Sequence, residues 1–157
     1  MISKIIARRQ FFKMMGVFGS ATLLVACGGS SATPTERTSV ALSIESKGEE
    51  LKYAVDKLEA PANSKITLTL KNTSTANKHN WVLTKPGQAD AVATEGIAAG
   101  EAVGYLKEGP NIIAYTKLSA AGTSESVTFD SPAPGDYPFI CTFPGHNFLM
   151  KGILTIK

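Results

Sequence analysis

A chain of 157 residues, 43 % hydrophobic and 18 % charged, has room for one domain with its own core and little more. Its formal net charge of +3 comes from the N-terminus: Lys4, Arg8, Arg9 and Lys13 fall in the first 26 residues with no acid among them, and without that segment 16 basic residues become 12 against 13 acidic, a net −1. A near-neutral remainder excludes the basic footprint of a nucleic-acid binder.

Residues 1–26 read as an export signal. The basic stretch precedes an apolar run from Gly16 to Ala26, shorter than the about 20 residues a membrane span needs. Ala7-Arg8-Arg9-Gln10-Phe11-Phe12-Lys13 resembles a twin-arginine signal, with the general secretory route as the other option. Leu24-Val25-Ala26-Cys27 resembles a bacterial lipobox, which makes Cys27 the expected lipidated first residue of the processed chain. The expected location is then the extracytoplasmic (periplasmic) face of a bacterial membrane, anchored through Cys27. Residues 27–38, rich in Gly, Ser, Thr and Pro, read as a flexible tether, and a folded domain is expected over 39–157.

That domain reads as short strands. Val40, Leu42 and Ile44 alternate with polar residues, as do Ile66, Leu68 and Leu70 after the Pro61-Ala62-Asn63 turn. Gln88 to Ala99 is Ala-rich without alternation and reads as one short helix outside the strands. Trp81 to Leu83 and Ile112 to Tyr115 are apolar runs, Val127 and Phe129 alternate again, and Tyr137–Cys141 and Ile153–Ile156 close the chain. The class is all-β: a two-sheet Greek-key β-sandwich.

With Cys27 assigned to lipid, Cys141 is a lone thiol in an oxidising compartment. It opens the stretch Cys141-Thr142-Phe143-Pro144-Gly145-His146-Asn147-Phe148-Leu149-Met150. Singly, a strand cysteine is a small buried hydrophobe, a methionine before a strand is core filler and a turn histidine is solvated. Together they place a thiolate, an imidazole and a thioether within ten residues. A second imidazole must come from His79, the only other histidine, expected to start a strand His79–Leu83. Two histidines, a cysteine and a weak axial methionine suit copper in the blue-copper arrangement, whereas structural zinc prefers several cysteines or histidines in a closed tetrahedron.

Cys141–His146 followed by three residues and Met150-Lys151-Gly152 resembles the copper loop of azurins, and His79–Leu83 resembles the azurin segment that carries the first histidine. Ser126 to His146 is similar to the corresponding segment of auracyanins. The resemblance implies a cupredoxin fold, one type 1 copper cycling between Cu(I) and Cu(II), and electron transfer without substrate chemistry. It assigns Cys141 as thiolate ligand, His79 and His146 as imidazoles and Met150 as axial thioether. It makes Asn80 a brace for the cysteine loop and the Phe143 N–H a donor to the Cys141 sulfur. Azurins have glycine where this chain has Lys78, so a weak carbonyl contact there is left open. Their N-terminal disulfide has no counterpart cysteine.

Electrons are expected to leave through the edge of His146, in an exposed loop with Pro144 and Phe148 as an apolar docking patch for a brief redox encounter. The expected partners are cytochromes or membrane electron-transfer complexes, with no nucleic acid and no small-molecule substrate, and the chain acts as a monomer. The alternatives are an extracytoplasmic copper-binding or delivery protein, a copper enzyme, or a metal-free interaction sandwich.

Overall fold

Alternation of apolar and polar residues becomes nine strands in the computed structural model, which describes residues 37–157. The expected export signal, Cys27 and the tether up to residue 36 lie outside the described residues. Thr38, assigned above to the tether, is the first residue of β1 (Thr38–Lys47). The strands β2 (Glu50–Tyr53), β3 (Lys57–Ala60) and β4 (Ser64–Lys71) follow. After them come β5 (Val82–Thr84), helix α1 (Ala89–Ala99), β6 (Ile112–Tyr115), β7 (Ser124–Asp130), β8 (Gly135–Ile140) and β9 (Lys151–Ile156).

One sheet has the order β2-β1-β4-β7 and the other β3-β9-β8-β5-β6. Both are mixed, because β1 runs parallel to β4 and β3 parallel to β9 while the other pairs are antiparallel. In β4 the period-2 pattern is complete: Ile66, Leu68 and Leu70 are wholly buried and the lysines at 65 and 71 are exposed. With Ile44, Trp81, Phe139, Leu154 and Ile156 they fill the space between the sheets.

β5 is buried on both faces, and so reads as an apolar run rather than an alternation. Its outer face is covered by α1, where Val92 and Ala93 pack with Val82 and Ile140. The helix comes close because residue 96 is glycine: a Cβ there would sit 2.2 Å from the carbonyl oxygen of Tyr105. The helix there meets both the Tyr105 segment and Thr142, whose Cβ lies 3.4 Å from the same point.

The expected strand from His79 is shorter than the sequence suggested. His79 forms an isolated bridge, exchanging backbone hydrogen bonds with Ser119 at 3.1 and 2.7 Å. The Trp81 N–H then donates to the side chain of Thr116 (3.0 Å) instead of to a ladder carbonyl, so regular pairing starts only at Val82.

Candidate metal centre

The site is built at one end of the sandwich by two backbone devices. In the first, the Cys141 N–H donates to the Met150 carbonyl at 3.0 Å, closing the loop between β8 and β9 so that the cysteine and methionine sit side by side. Within that loop the His146 N–H donates to the Phe143 carbonyl (3.0 Å), and the His146 carbonyl accepts from Leu149 (3.1 Å) and Met150 (2.8 Å). The turn needs a left-handed residue, and Gly145 supplies it at φ 82°. In the second device, the bridge to Ser119 fixes His79. Glu49 braces the approach to it, accepting from the Thr75 N–H (2.6 Å), the hydroxyls of Ser74 (2.9 Å) and Thr75 (3.0 Å), and Asn77 Nδ2 (3.0 Å).

These devices bring three donor atoms together. Nδ1 of His79 and Nδ1 of His146 are 3.2 Å apart, and the Cys141 sulfur is 4.0 Å from the first and 3.7 Å from the second. A point equidistant from all three lies about 2.1 Å from each, the bond length of imidazole nitrogen to a first-row divalent ion. A hydrogen bond between the two imidazoles would account for one side of this triangle but not for the sulfur facing both rings. The buried Nε2 of His79 has no partner among the described residues. A neutral ring that turns its Nδ1 lone pair inward carries its proton on that Nε2, at a cost of about 1–3 kcal/mol that a metal bond at Nδ1 would offset. The donor set and its spacing therefore fit a soft-to-borderline metal ion.

Burial sets the protonation of the metal-free site. It pushes the His79 imidazole down to about 4, helped by the neighbouring His146, and lowers His146 as well. It pushes the Cys141 thiol up to about 11, although the backbone N–H groups of Asn80 and Phe143 both point at the sulfur and work the other way. The imidazoles are thus ready as neutral donors, and the thiol must surrender its proton.

Asn80 clamps the two halves of the site. Its Nδ2 donates to Thr142 Oγ1 and its Oδ1 accepts from the Thr142 N–H, both at 2.8 Å, among wholly buried atoms. Asn80→Ala breaks both bonds and strands the Thr142 N–H, which is expected to lower unfolding free energy by about 2–4 kcal/mol in denaturant titration. A loss below half a kcal/mol would mean that the clamp is not needed to hold the loop.

Other support was not readable beforehand. The Tyr53 hydroxyl donates to the Asn80 carbonyl at 2.6 Å, and Tyr105 packs edge-on to Phe143, whose ring lies 4.6 Å from that of His146. The loop is exposed at Phe148 (72 %) and Leu149 (59 %), as expected, while His146 itself keeps 5 % of its surface, its ring tucked against Phe143. The Lys78 side chain turns outward to Glu101, with Nζ 2.8 Å from Oε1.

Residues 40–157 match the family of copper binding proteins of the plastocyanin/azurin type. Auracyanin-A of Chloroflexus aurantiacus is 42 % identical over 146 residues, covering 87 % of this chain and 90 % of the relative. An azurin of Pseudomonas fluorescens biotype C is 48 % identical over 100 residues, 59 % of this chain and 78 % of the relative. Among solved structures, auracyanin A, described as a "blue" copper protein, superposes with a TM-score of 0.72 at 42 % identity, over 76 % of this chain and 99 % of that one. An auracyanin of Roseiflexus castenholzii gives 0.71 at 44 % identity, over 76 % and 97 %. The match across the whole sandwich, together with the histidine–cysteine triangle at its end, means that this chain belongs to the plastocyanin/azurin family of copper-binding proteins, with a cupredoxin fold and copper as its cofactor.

Proposed function

We propose that this chain is a lipid-tethered carrier of single electrons. It holds one type 1 copper through His79, Cys141, His146 and the thioether of Met150, and serves redox proteins (cytochromes or membrane electron-transfer complexes) at the extracytoplasmic face of a bacterial membrane. Membership of the family makes it an electron carrier and not an enzyme. The bound copper supplies a one-electron couple, and the protein's part is to keep the donor atoms still. The observation that carries this reading is the enclosed triangle: His79 and Cys141 are wholly buried, and Asn80, Thr142 and two bridging backbone bonds to Ser119 hold them. Enclosure argues against a delivery protein, which must hand over its copper through exposed, exchangeable ligands, and against a substrate position at the metal. Met150 is wholly buried and hydrogen-bonded through its backbone to Cys141, which supports it as the axial thioether. Pro144 and Phe148 form exposed apolar surface beside His146, the expected exit.

The tether follows from Cys27. A single acyl chain gives marginal membrane binding and two give stable anchoring, so a diacylglyceryl group holds the protein down. With Thr38 in β1, the residues from 28 to 37 would span roughly 17 Å as a flexible coil, enough to reach partners in the same membrane. Cys27→Ser, expressed in a bacterium that processes lipoproteins, is expected to move the protein from the membrane to the soluble extracytoplasmic fraction with its blue colour intact. An unmutated protein that is already soluble after export would make the carrier a diffusing one.

A further inference from the structure

Beside the copper end, a groove of about 710 Å³ runs between the segment around β2–β3 and the start of β9. Its walls carry Lys47, Lys52, Lys57 and Lys151 against a single acid, Asp56. Lys47 is already paired with Glu50 at 3.2 Å. The other three have no carboxylate within 4 Å among the described residues, unlike Lys71, Lys78, Lys107 and Lys157, which do. Among the described residues six lysines lack such a partner, and half of them line this one groove, Lys65, Lys85 and Lys117 being the others. The groove also reaches Leu149, 59 % exposed and next in sequence to Met150, and Val55, 45 % exposed.

We propose that this groove docks the carboxylate-bearing face of a redox partner, with Lys52, Lys57 and Lys151 steering and Leu149, next in sequence to Met150, making the apolar contact within the groove. The proposal rests on the electron-carrier reading and names its partner's chemistry. Local field, not net charge, governs approach to such a patch, because exposed charges beyond about 8–10 Å are screened. From residue 27 onward the protein has net charge −1, so net charge predicts weak repulsion of an anion and the groove predicts attraction. A concave groove suits a protruding acidic edge better than the plane of an anionic bilayer.

The test uses the copper-loaded protein as expressed, reduced and then oxidised in a stopped-flow by hexacyanoferrate(III), a trianion, or by tris(phenanthroline)cobalt(III), a trication. Raising ionic strength is expected to slow the first reaction and speed the second. Lys52→Glu/Lys57→Glu should shift the ratio of the two rate constants at low salt toward the cation by about tenfold or more. Any change in potential moves both rates in the same direction and leaves that ratio alone. Lys65→Glu/Lys85→Glu, with the same change in net charge, should shift it far less. Poly-L-glutamate should slow hexacyanoferrate oxidation of the unmutated protein and not of the groove variant. Equal ratios in the two double variants would overturn the proposal. So would groove-dependent retention on phosphatidylglycerol vesicles with no effect on the rates, which would assign the lysines to the membrane. Loss of blue colour or of all electron exchange in the unmutated protein would instead sink the carrier reading itself.

Discussion

Cys141→Ser is expected to abolish the intense blue colour of the Cu(II) protein completely and to replace its narrow copper hyperfine splitting with the wide one of a tetragonal site. The colour belongs to a thiolate in a trigonal set with two imidazoles, and Cys141 is the one cysteine among the described residues. Serine matches the side chain in shape but offers a hard oxygen whose proton is much harder to remove. The N–H groups of Asn80 and Phe143 that point at the sulfur would then meet a hydroxyl instead. A buried hydroxyl costs about 1–3 kcal/mol where it is poorly paired, so the metal-free variant should still fold. Denaturant titration of both metal-free proteins separates loss of the ligand from loss of the fold. A serine variant that stays deeply blue would place the thiolate elsewhere and defeat the assignment.

The legible parts of this protein are those in which one local pattern settles the outcome. β4 and β7 could be read because each is half-buried, so period 2 is written in the residues themselves. α1 could be read from the loss of that alternation between Gln88 and Ala99. β2 and β3 could not. Glu50-Leu51-Lys52-Tyr53 and Lys57-Leu58-Glu59-Ala60 are four residues each, half of them charged, and their strand character comes from pairing with β1 and β9. The parallel pairs were invisible for the same reason: register between strands distant in sequence is fixed by the packed core, not by either strand alone. At the site, the loop from Cys141 to Met150 is legible because its donors are local. The supports are contributed from afar, by Tyr53 and Glu49 across gaps of more than twenty residues and by Tyr105 across almost forty, and nothing near those residues marks them. How far the His146 ring is buried was not legible either, because exposure of a loop backbone does not carry over to a ring that packs against Phe143.

Copper affinity should rise about tenfold for each unit of pH across the neutral range. The reason is the mismatch between the form in which burial keeps each donor and the form that copper takes. Above the depressed range of His79, about 4, and of His146, both imidazoles are neutral and give their lone pairs at no protonic cost. Below about 11 the Cys141 thiol is intact, so each copper bound must expel one proton. Between those limits the count is one proton per copper. As pH falls through the imidazole range the histidines also compete with copper, and the slope steepens toward three. As pH rises past about 11 the slope flattens to zero. The same burial shapes the metal-free fold with definite signs. The unfolded His79 takes up a proton before the folded one does, so stability falls as pH drops from about 6.5 to about 4. The unfolded Cys141 loses its proton first, so stability falls again as pH climbs from about 9 to about 11. Competition with a chelator of known protonation, at several pH values from 6 to 9, measures the slope directly. Proton release into a weakly buffered indicator during loading counts the proton. Release of none at pH 7.5, with affinity flat across that range, would show that Cys141 is already a thiolate before copper arrives, held so by the Asn80 and Phe143 N–H groups against the pull of burial.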